Sequence, residues 1–464
     1  MWSEHVISRF LRTIEADDVV VAFHQLHPSP IYIHNESWSQ IIHGTLAVPQ
    51  ELKAEFVRTK ILIESIETDV KELVMYREGV RNFMNRPSIL YLMLAQGCNN
   101  ACTYCPIPKL AERYGDNLLS FDDAIAGIKL WQEHLKDEID DEPYCLILYG
   151  GEPLLNRAVL EKVLEYVAVE RMGGRLPSKL ELLLITNGLL VDDSLATLLA
   201  EHNVLTVLGI DGIPVSNNET RRTSEGMPTS AAIEFACRLL LKSGVRLAAS
   251  MTLTPKNVFA VSEHKAYFFS LGIRSIGFNI LKGTALNACL GTMSSTEYYC
   301  AAARAVISEY QLNGEKLQEY QLQKRLEAIE SSQPFAVDCT CYGSQIVVQA
   351  DGVVSNCPFL RVDLGHVRSL PDSFRIAQTE TVRAWRQRIP LFMNGEPNSF
   401  LYGGGCAWGS QELYGSVVTQ DCGSELFNSE VMHGLTRKLL PDQAREQLRS
   451  GELAYWCYRG IRNL

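Results

Sequence analysis

Ile89-Leu90-Tyr91-Leu92-Met93-Leu94-Ala95-Gln96-Gly97-Cys98-Asn99-Asn100-Ala101-Cys102-Thr103-Tyr104-Cys105 is an apolar run that ends in a loop carrying three cysteines. A continuous apolar stretch of this length reads as a strand buried on both faces. The loop spaces its thiols as C-x3-C-x2-C. Three thiolates on one short loop can hold three corners of a cubane iron–sulfur cluster, leaving the fourth iron open to another ligand. Zinc is the alternative, but structural zinc takes four closed ligands, and no fourth Cys or His lies close by in the sequence. Three unrelated core cysteines are the remaining reading.

Outward from this loop the chain alternates strands and helices. A helix opens at Ser120 with Asp123 three residues on, a capping-box arrangement, and carries Ile125, Ile128, Trp131 and Leu135 on one face. Strand runs follow at 145–149, 182–185, 204–210, 245–251 and 273–280, with helical segments between them. About six β-then-α units predict a parallel sheet, either openly wound or a partial barrel. In both, chemistry belongs at the C-terminal ends of the strands. Those ends read Gln96-Gly97-Cys98, Gly150-Gly151-Glu152-Pro153, Thr186-Asn187-Gly188 and Asp211-Gly212.

The cysteine loop, with aromatic Tyr104 before its third cysteine, and the later Gly150-Gly151-Glu152-Pro153 together resemble the radical S-adenosylmethionine (SAM) enzymes across residues 88–281. The resemblance implies an α/β partial (β/α)6 TIM-type barrel over residues 86–293. It implies a [4Fe-4S] cluster on Cys98, Cys102 and Cys105, with SAM chelating the open iron. An electron from a donor such as flavodoxin or ferredoxin would then cleave SAM to a 5′-deoxyadenosyl radical, which abstracts hydrogen from an unactivated C–H bond. Gly150 and Gly151 would let backbone groups approach the methionyl moiety, and Glu152 would accept from its ammonium. Tyr104 would lie beside the adenine, and Asn187 and Asp211 would face the ribose or the substrate. Arg221 and Arg222 resemble the arginine that follows Asp-Gly in peptide-modifying members; a solvated pair is the plain alternative. No acid–base residue is assigned.

A second cysteine group lies at 338–424, after a helical connector at 294–337 interrupted by Asn313-Gly314. Cys339 and Cys341 precede alternating apolar residues around Asp351-Gly352, a hairpin signal, and Cys357 follows. The hairpin would bring Cys341 and Cys357 together at its open end. Gly403-Gly404-Gly405-Cys406 is a flexible loop, and Cys422 comes later. The Cys341 to Cys357 stretch resembles the first half of the SPASM auxiliary-cluster domain. Asn398-Ser399-Phe400-Leu401-Tyr402 stands where that domain has further cysteines. A shortened, twitch-like version with one auxiliary [4Fe-4S] cluster is therefore expected, held by Cys341, Cys357 and Cys406, with Cys339 and Cys422 competing for the fourth position. A zinc-stabilised hairpin is the alternative. Cys145, Cys237, Cys289, Cys300 and Cys457 read as core residues, and the ten His show no ligand spacing.

The first 85 residues read as an N-terminal helical stretch and then a hairpin around His27-Pro28-Ser29-Pro30. Three helices follow, near 36–43, 49–63 and 66–83. This winged-helix-like plan resembles leader-peptide recognition units of maturases of ribosomally made peptides, in which the leader adds a strand to a sheet edge. A plain barrel cap is the alternative. A helical tail at 425–464 closes the chain.

Composition limits the partners. At 464 residues, a prior of roughly 150 per domain allows two to four units. Hydrophobic residues at 46% and charged residues at 21% fit a soluble globular protein. No run approaches the roughly 18 apolar residues of a membrane helix, and Met1-Trp2-Ser3-Glu4 does not open a secretory signal. The net charge of −11 argues against a nucleic-acid surface. Thirteen cysteines, odd in number and clustered, point to metal or cluster ligation in a reducing, cytoplasmic compartment.

The function expected from all of this is a radical SAM peptide maturase. It would install a thioether, a carbon–carbon or ether crosslink, or a backbone excision in a ribosomally made precursor. Its partners would be that precursor with its leader, the electron donor and a small partner protein, with no nucleic acid and no membrane. Oxidation of a Cys or Ser in a sulfatase-type protein, or of a small molecule, is the alternative within enzymes. A non-catalytic iron–sulfur scaffold subunit is the alternative from another class, although a scaffold has no need of Glu152 or Tyr104.

Overall fold

Alternation governs the first described residues, where a helical stretch was expected. The computed structural model describes residues 5–135, 143–308, 318–333, 335–393, 402–451 and 453–459. β1 (Val6–Ile7) and β2 (Leu11–Ala16) are strands. In β2, Ile14 and Ala16 are buried while Thr13 and Glu15 are exposed, a period of two that no helix can satisfy. β3 (Val19–His24) and β4 (His27–His34) form the expected hairpin, and β2 completes an antiparallel meander on β3.

Every residue of β3 is buried because both faces of this small sheet are covered. Val19, Val21 and Phe23 join the main core of the molecule together with Tyr32. Ala22, with Ile31 and Ile33 of β4, packs instead under Ile41, Leu52 and Phe56 of the helices Asn35–His43 and Gln50–Arg58. β5 (Leu62–Ile63) pairs with β1, and the third helix, Ile66–Met84, follows. The second expected helix thus stops at Arg58, and Leu62–Ile63 is a strand.

β6 (Ile89–Ala95), β7 (Cys145–Gly150), β8 (Glu181–Thr186), β9 (Leu205–Gly209), β10 (Arg246–Leu253) and β11 (Ser275–Ile280) pair in sequence order, all parallel. Helices cross between them, as in a (β/α) barrel. Ser120 and Asp123 make the expected cap, the Asp123 N–H donating to Ser120 Oγ at 3.1 Å, and Ile128 and Trp131 of the helix Phe121–Leu135 are buried.

The sheet does not close on itself. β12 (Gln318–Glu319) extends it parallel to β11, and β13 (Gln345–Val348) extends the other edge parallel to β6. β13 also forms the expected hairpin with β14 (Val354–Ser355). The second cysteine region is therefore built onto the first barrel strand. The Asn313-Gly314 interruption and Asn398 to Leu401 lie outside the described residues.

The tail is not wholly helical. After helices Cys422–Leu439 and Asp442–Ser450, β15 (Tyr455–Cys457) pairs antiparallel with β4, and Tyr32 OH donates to the Thr436 carbonyl at 2.5 Å. The sheet edge beside β4 is filled by the chain's own C-terminal strand.

Candidate functional site at the barrel rim

Cys98, Cys102 and Cys105 all line one cavity of 440 Å³ at the C-terminal ends of the barrel strands. Their loop is braced from across the barrel. Ala101 N–H donates to the Arg222 carbonyl at 2.8 Å, Thr103 N–H to that of Thr220 at 3.0 Å, and Ser224 N–H to that of Asn99 at 3.0 Å. Burial pushes the Cys98 thiol up to about 12 and Cys102 to about 11, and it raises Cys105 as well. These are poor nucleophiles by themselves, and a bound metal must displace their protons.

The donor set fits a cluster, since three thiols from one loop face a shared space. Among the described residues, no three His, Cys, Asp or Glu side chains converge on a single-ion site. A cluster asks for less convergence than one ion, because each thiolate binds a different iron.

Gly150 and Gly151 also line the cavity, and their lack of side chains is used first by the protein. Gly150 has φ of 146°, and a Cβ there would lie 2.3 Å from the Ala95 carbonyl oxygen; one on Gly151 would lie 2.1 Å from that of Gly97. The ends of β6 and β7 can touch only because both residues are glycine.

Glu152 stands behind the cavity wall. It is fully buried, does not line the cavity, and accepts from Leu154 N–H at 3.0 Å, Thr186 Oγ1 at 2.7 Å and Asn187 N–H at 2.8 Å. Its carboxylate ties the end of β7 to the end of β8, so it positions Thr186 and Asn187, which do line the cavity. Asn187 Nδ2 reaches Asn99 Oδ1 at 2.7 Å and Cys98 Sγ at 3.7 Å.

Burial lifts the Glu152 carboxyl to about 7, against those three hydrogen bonds. The unfolded value is about 4.3, so the folded chain binds more protons between these limits and stability falls as pH rises through them. Glu152→Gln should remove that pH dependence while costing ~1–3 kcal/mol at low pH through a lost acceptor. Denaturant unfolding on either side of the window checks it, and equal pH dependence in both chains would contradict it.

Asp211 also sits behind the wall, with no exposure. Oδ2 accepts from Tyr104 OH and from Thr220 Oγ1, each at 2.7 Å; Oδ1 accepts from Thr252 N–H at 2.9 Å and pairs with Arg221 Nε at 3.0 Å. It holds two groups that line the cavity, Tyr104 and Arg221, and the Arg221 guanidinium lies 5.8 Å from the Tyr104 ring centre. Arg222 is exposed and donates to the Gly226 carbonyl. Only one of the two arginines faces the site.

The second cysteine group converges as well. Cys339, Cys341, Cys357 and Cys406 are close enough to perturb one another electrostatically, and the adjacent Cys341 thiol lowers Cys339 while being raised itself, which makes Cys339 the more acidic of the pair. Backbone N–H groups already point at two of the sulfurs, Leu360 to Cys357 at 3.3 Å and Gly409 to Cys406 at 3.4 Å. Cys422 is exposed at the first turn of its helix. Tyr402 is buried, its hydroxyl donating to the Asp421 carbonyl at 3.0 Å. Cys406, Asp338, Phe359 and Trp408 line the same cavity as the first cysteine loop.

Residues 92–259 match the radical SAM superfamily. The match runs from within β6 to just past β10 and takes in the three-cysteine loop. The cysteine-type anaerobic sulfatase-maturating enzyme of Clostridium perfringens (strain 13 / Type A) is 27% identical over 298 residues, spanning 61% of this chain and 78% of that protein. Among solved structures, native anSMEcpe with bound AdoMet and Cp18Cys peptide superposes with a TM-score of 0.59 at 21% identity, over 78% of this chain and 98% of that one. Streptococcus suis SuiB bound to precursor peptide SuiA gives 0.52 at 12% identity, over 90% and 99%. At these identities the likeness is one of fold, the partial barrel. The cofactors of a radical SAM domain are SAM and an iron–sulfur cluster, and the three-thiol loop fits the cluster.

Several residues of the site carried little signal. Ser250, Thr252 and Asn279 are polar interruptions of apolar strand runs and could have been picked out as rim residues. Lys282, Arg325 and Asp338 lie in connecting segments without diagnostic spacing. In the described residues no helix is long and apolar enough to cross a membrane.

Proposed function

We propose that this chain is a radical SAM maturase that modifies a core residue of a ribosomally made peptide. One observation carries the reading: a single cavity is lined both by the Cys98, Cys102 and Cys105 loop and by Cys406 of the second cysteine group. SAM bound at the open iron would supply a radical able to remove hydrogen from an unactivated C–H bond. The chain's own residues hold the site around it. Asp211 fixes Tyr104 and Arg221, Glu152 fixes the Thr186–Asn187 turn, and Phe359 and Trp408 supply apolar wall that keeps water away.

We assign Cys339, Cys341, Cys357 and Cys406 to one auxiliary [4Fe-4S] cluster, and Cys422 to the surface. Residues 1–85 serve as the peptide-recognition unit in this proposal. With β15 on β4, strand addition falls to the outer edge of β2, which among the described residues pairs only with β3. A flavodoxin or ferredoxin as electron donor, a small partner protein and a cytoplasmic setting belong to the same proposal.

Oxidation of a cysteine in a protein is the second reading, favoured by the sulfatase-maturating relative. The two separate on substrate. A peptide encoded beside this chain should stimulate SAM cleavage, whereas stimulation by a sulfatase peptide alone would favour the second reading.

A further inference from the structure

Lys282 follows β11 at the barrel rim and lines the shared cavity. Its Nζ donates to Ser424 Oγ at 2.5 Å and lies 3.9 Å from the Asp421 carboxylate, which in turn accepts from the Cys406 N–H at 3.4 Å. The backbone beside it is pressed onto the turn that carries Cys406. A Cβ on Gly409 would lie 3.2 Å from Lys282 Cβ and 3.7 Å from Cys406 Cβ. A barrel residue is thus clamped against the second cysteine group by a serine and a carboxylate, with its stem fixed by packing.

We propose that Lys282 is a positioning cation for the auxiliary cluster, raising its reduction potential from the barrel side. The proposal rests on the assignment of that cluster to Cys339, Cys341, Cys357 and Cys406. Reduction adds negative charge to a cluster, and a fixed ammonium in a low-dielectric wall favours that state. Burial disfavours the charged lysine, and the Asp421 carboxylate at 3.9 Å with the Ser424 hydroxyl favours it. Lys282 also acts on both Cys406 and Cys339. Asp421 stands close by with the opposite sign, so a neutral residue at 282 leaves that carboxylate without its cation, whereas Asp338 keeps Arg325. Lys324, the other cation acting on Cys339, is stacked on Tyr320 and Phe335 at 5.5 and 5.3 Å and faces the neighbouring groove.

The test uses the full chain with Cys98, Cys102 and Cys105 replaced by Ala, reconstituted anaerobically so that the auxiliary cluster alone gives the EPR signal. In that background Lys282→Met should make reduction at least about tenfold less favourable, which is about 59 mV for one electron. Lys282→Gln, which keeps a donor for Ser424, should do the same, and Lys282→Arg should return the potential to that of the parent. An unchanged potential in Met and Gln chains that retain about four irons overturns the proposal. Loss of iron from both, with Arg retaining it, makes Lys282 an assembly residue and overturns it too. A background chain with no iron at all overturns the cluster assignment beneath it.

Discussion

Replacing Cys98, Cys102 and Cys105 together by Ala is expected to abolish 5′-deoxyadenosine formation. The three thiols are the donor set of one loop lining the cavity, and no group of three or more His, Cys, Asp or Glu among the described residues forms a single-ion site that could stand in for them. Without them no cubane can present an open iron in the cavity. The fold should survive, because all three are only partly buried and their loop is held by backbone hydrogen bonds to residues 220–224. Anaerobic assay of the reconstituted chain with SAM and a reductant checks it. SAM cleavage at the parent rate in the triple variant would contradict it.

The second large effect is on iron content. Two cubanes predict about eight irons per chain, and Cys341→Ala with Cys357→Ala should lower the count to about four. SAM binding should be spared, since the first cysteine loop belongs to the other end of β6, away from the short turn Thr340–Tyr342 and the β13–β14 hairpin that carry Cys341 and Cys357. A parent value near twelve would mean further ligands, and one near four would mean zinc or nothing at the second group. Melting temperature is the control here, because both thiols sit in a small core with Tyr342, Trp385 and Ile389 and cavity formation has its own cost.

The barrel was legible because buried parallel strands read as largely apolar runs, and β6 to β11 lie at nearly the expected limits. The first cysteine loop was legible from spacing, and the hairpin β13–β14 from Asp351-Gly352. What escaped depends on long-range partners. β15 meets β4 from the far end of the chain, and β13 joins β6 in parallel; neither three or four residues of strand nor any turn residue announces such a partner. Residues 1–85 read as a winged-helix-like unit. In the structure Val21, Phe23 and Tyr32 share the core of the barrel, so removing the segment would open that core.

The same limit explains the carboxylates. A motif tells that an acid stands at a strand end; it does not tell that Glu152 finds its donors on the next βα unit, or that Asp211 turns to Tyr104 and Arg221. Where Cys339 and Cys422 stand is likewise a matter of three dimensions. One precedes a short turn that folds inward, and the other opens an exposed helix turn.

Isotope transfer from peptide to SAM tests the central claim most directly. The reconstituted chain would be incubated anaerobically with SAM, a reductant and the peptide encoded beside it, deuterated throughout its non-exchangeable positions. Deuterium should appear in 5′-deoxyadenosine, with a matching mass loss or new crosslink in the peptide. Formation of 5′-deoxyadenosine that carries no peptide deuterium, at a rate the peptide does not change, would contradict the account.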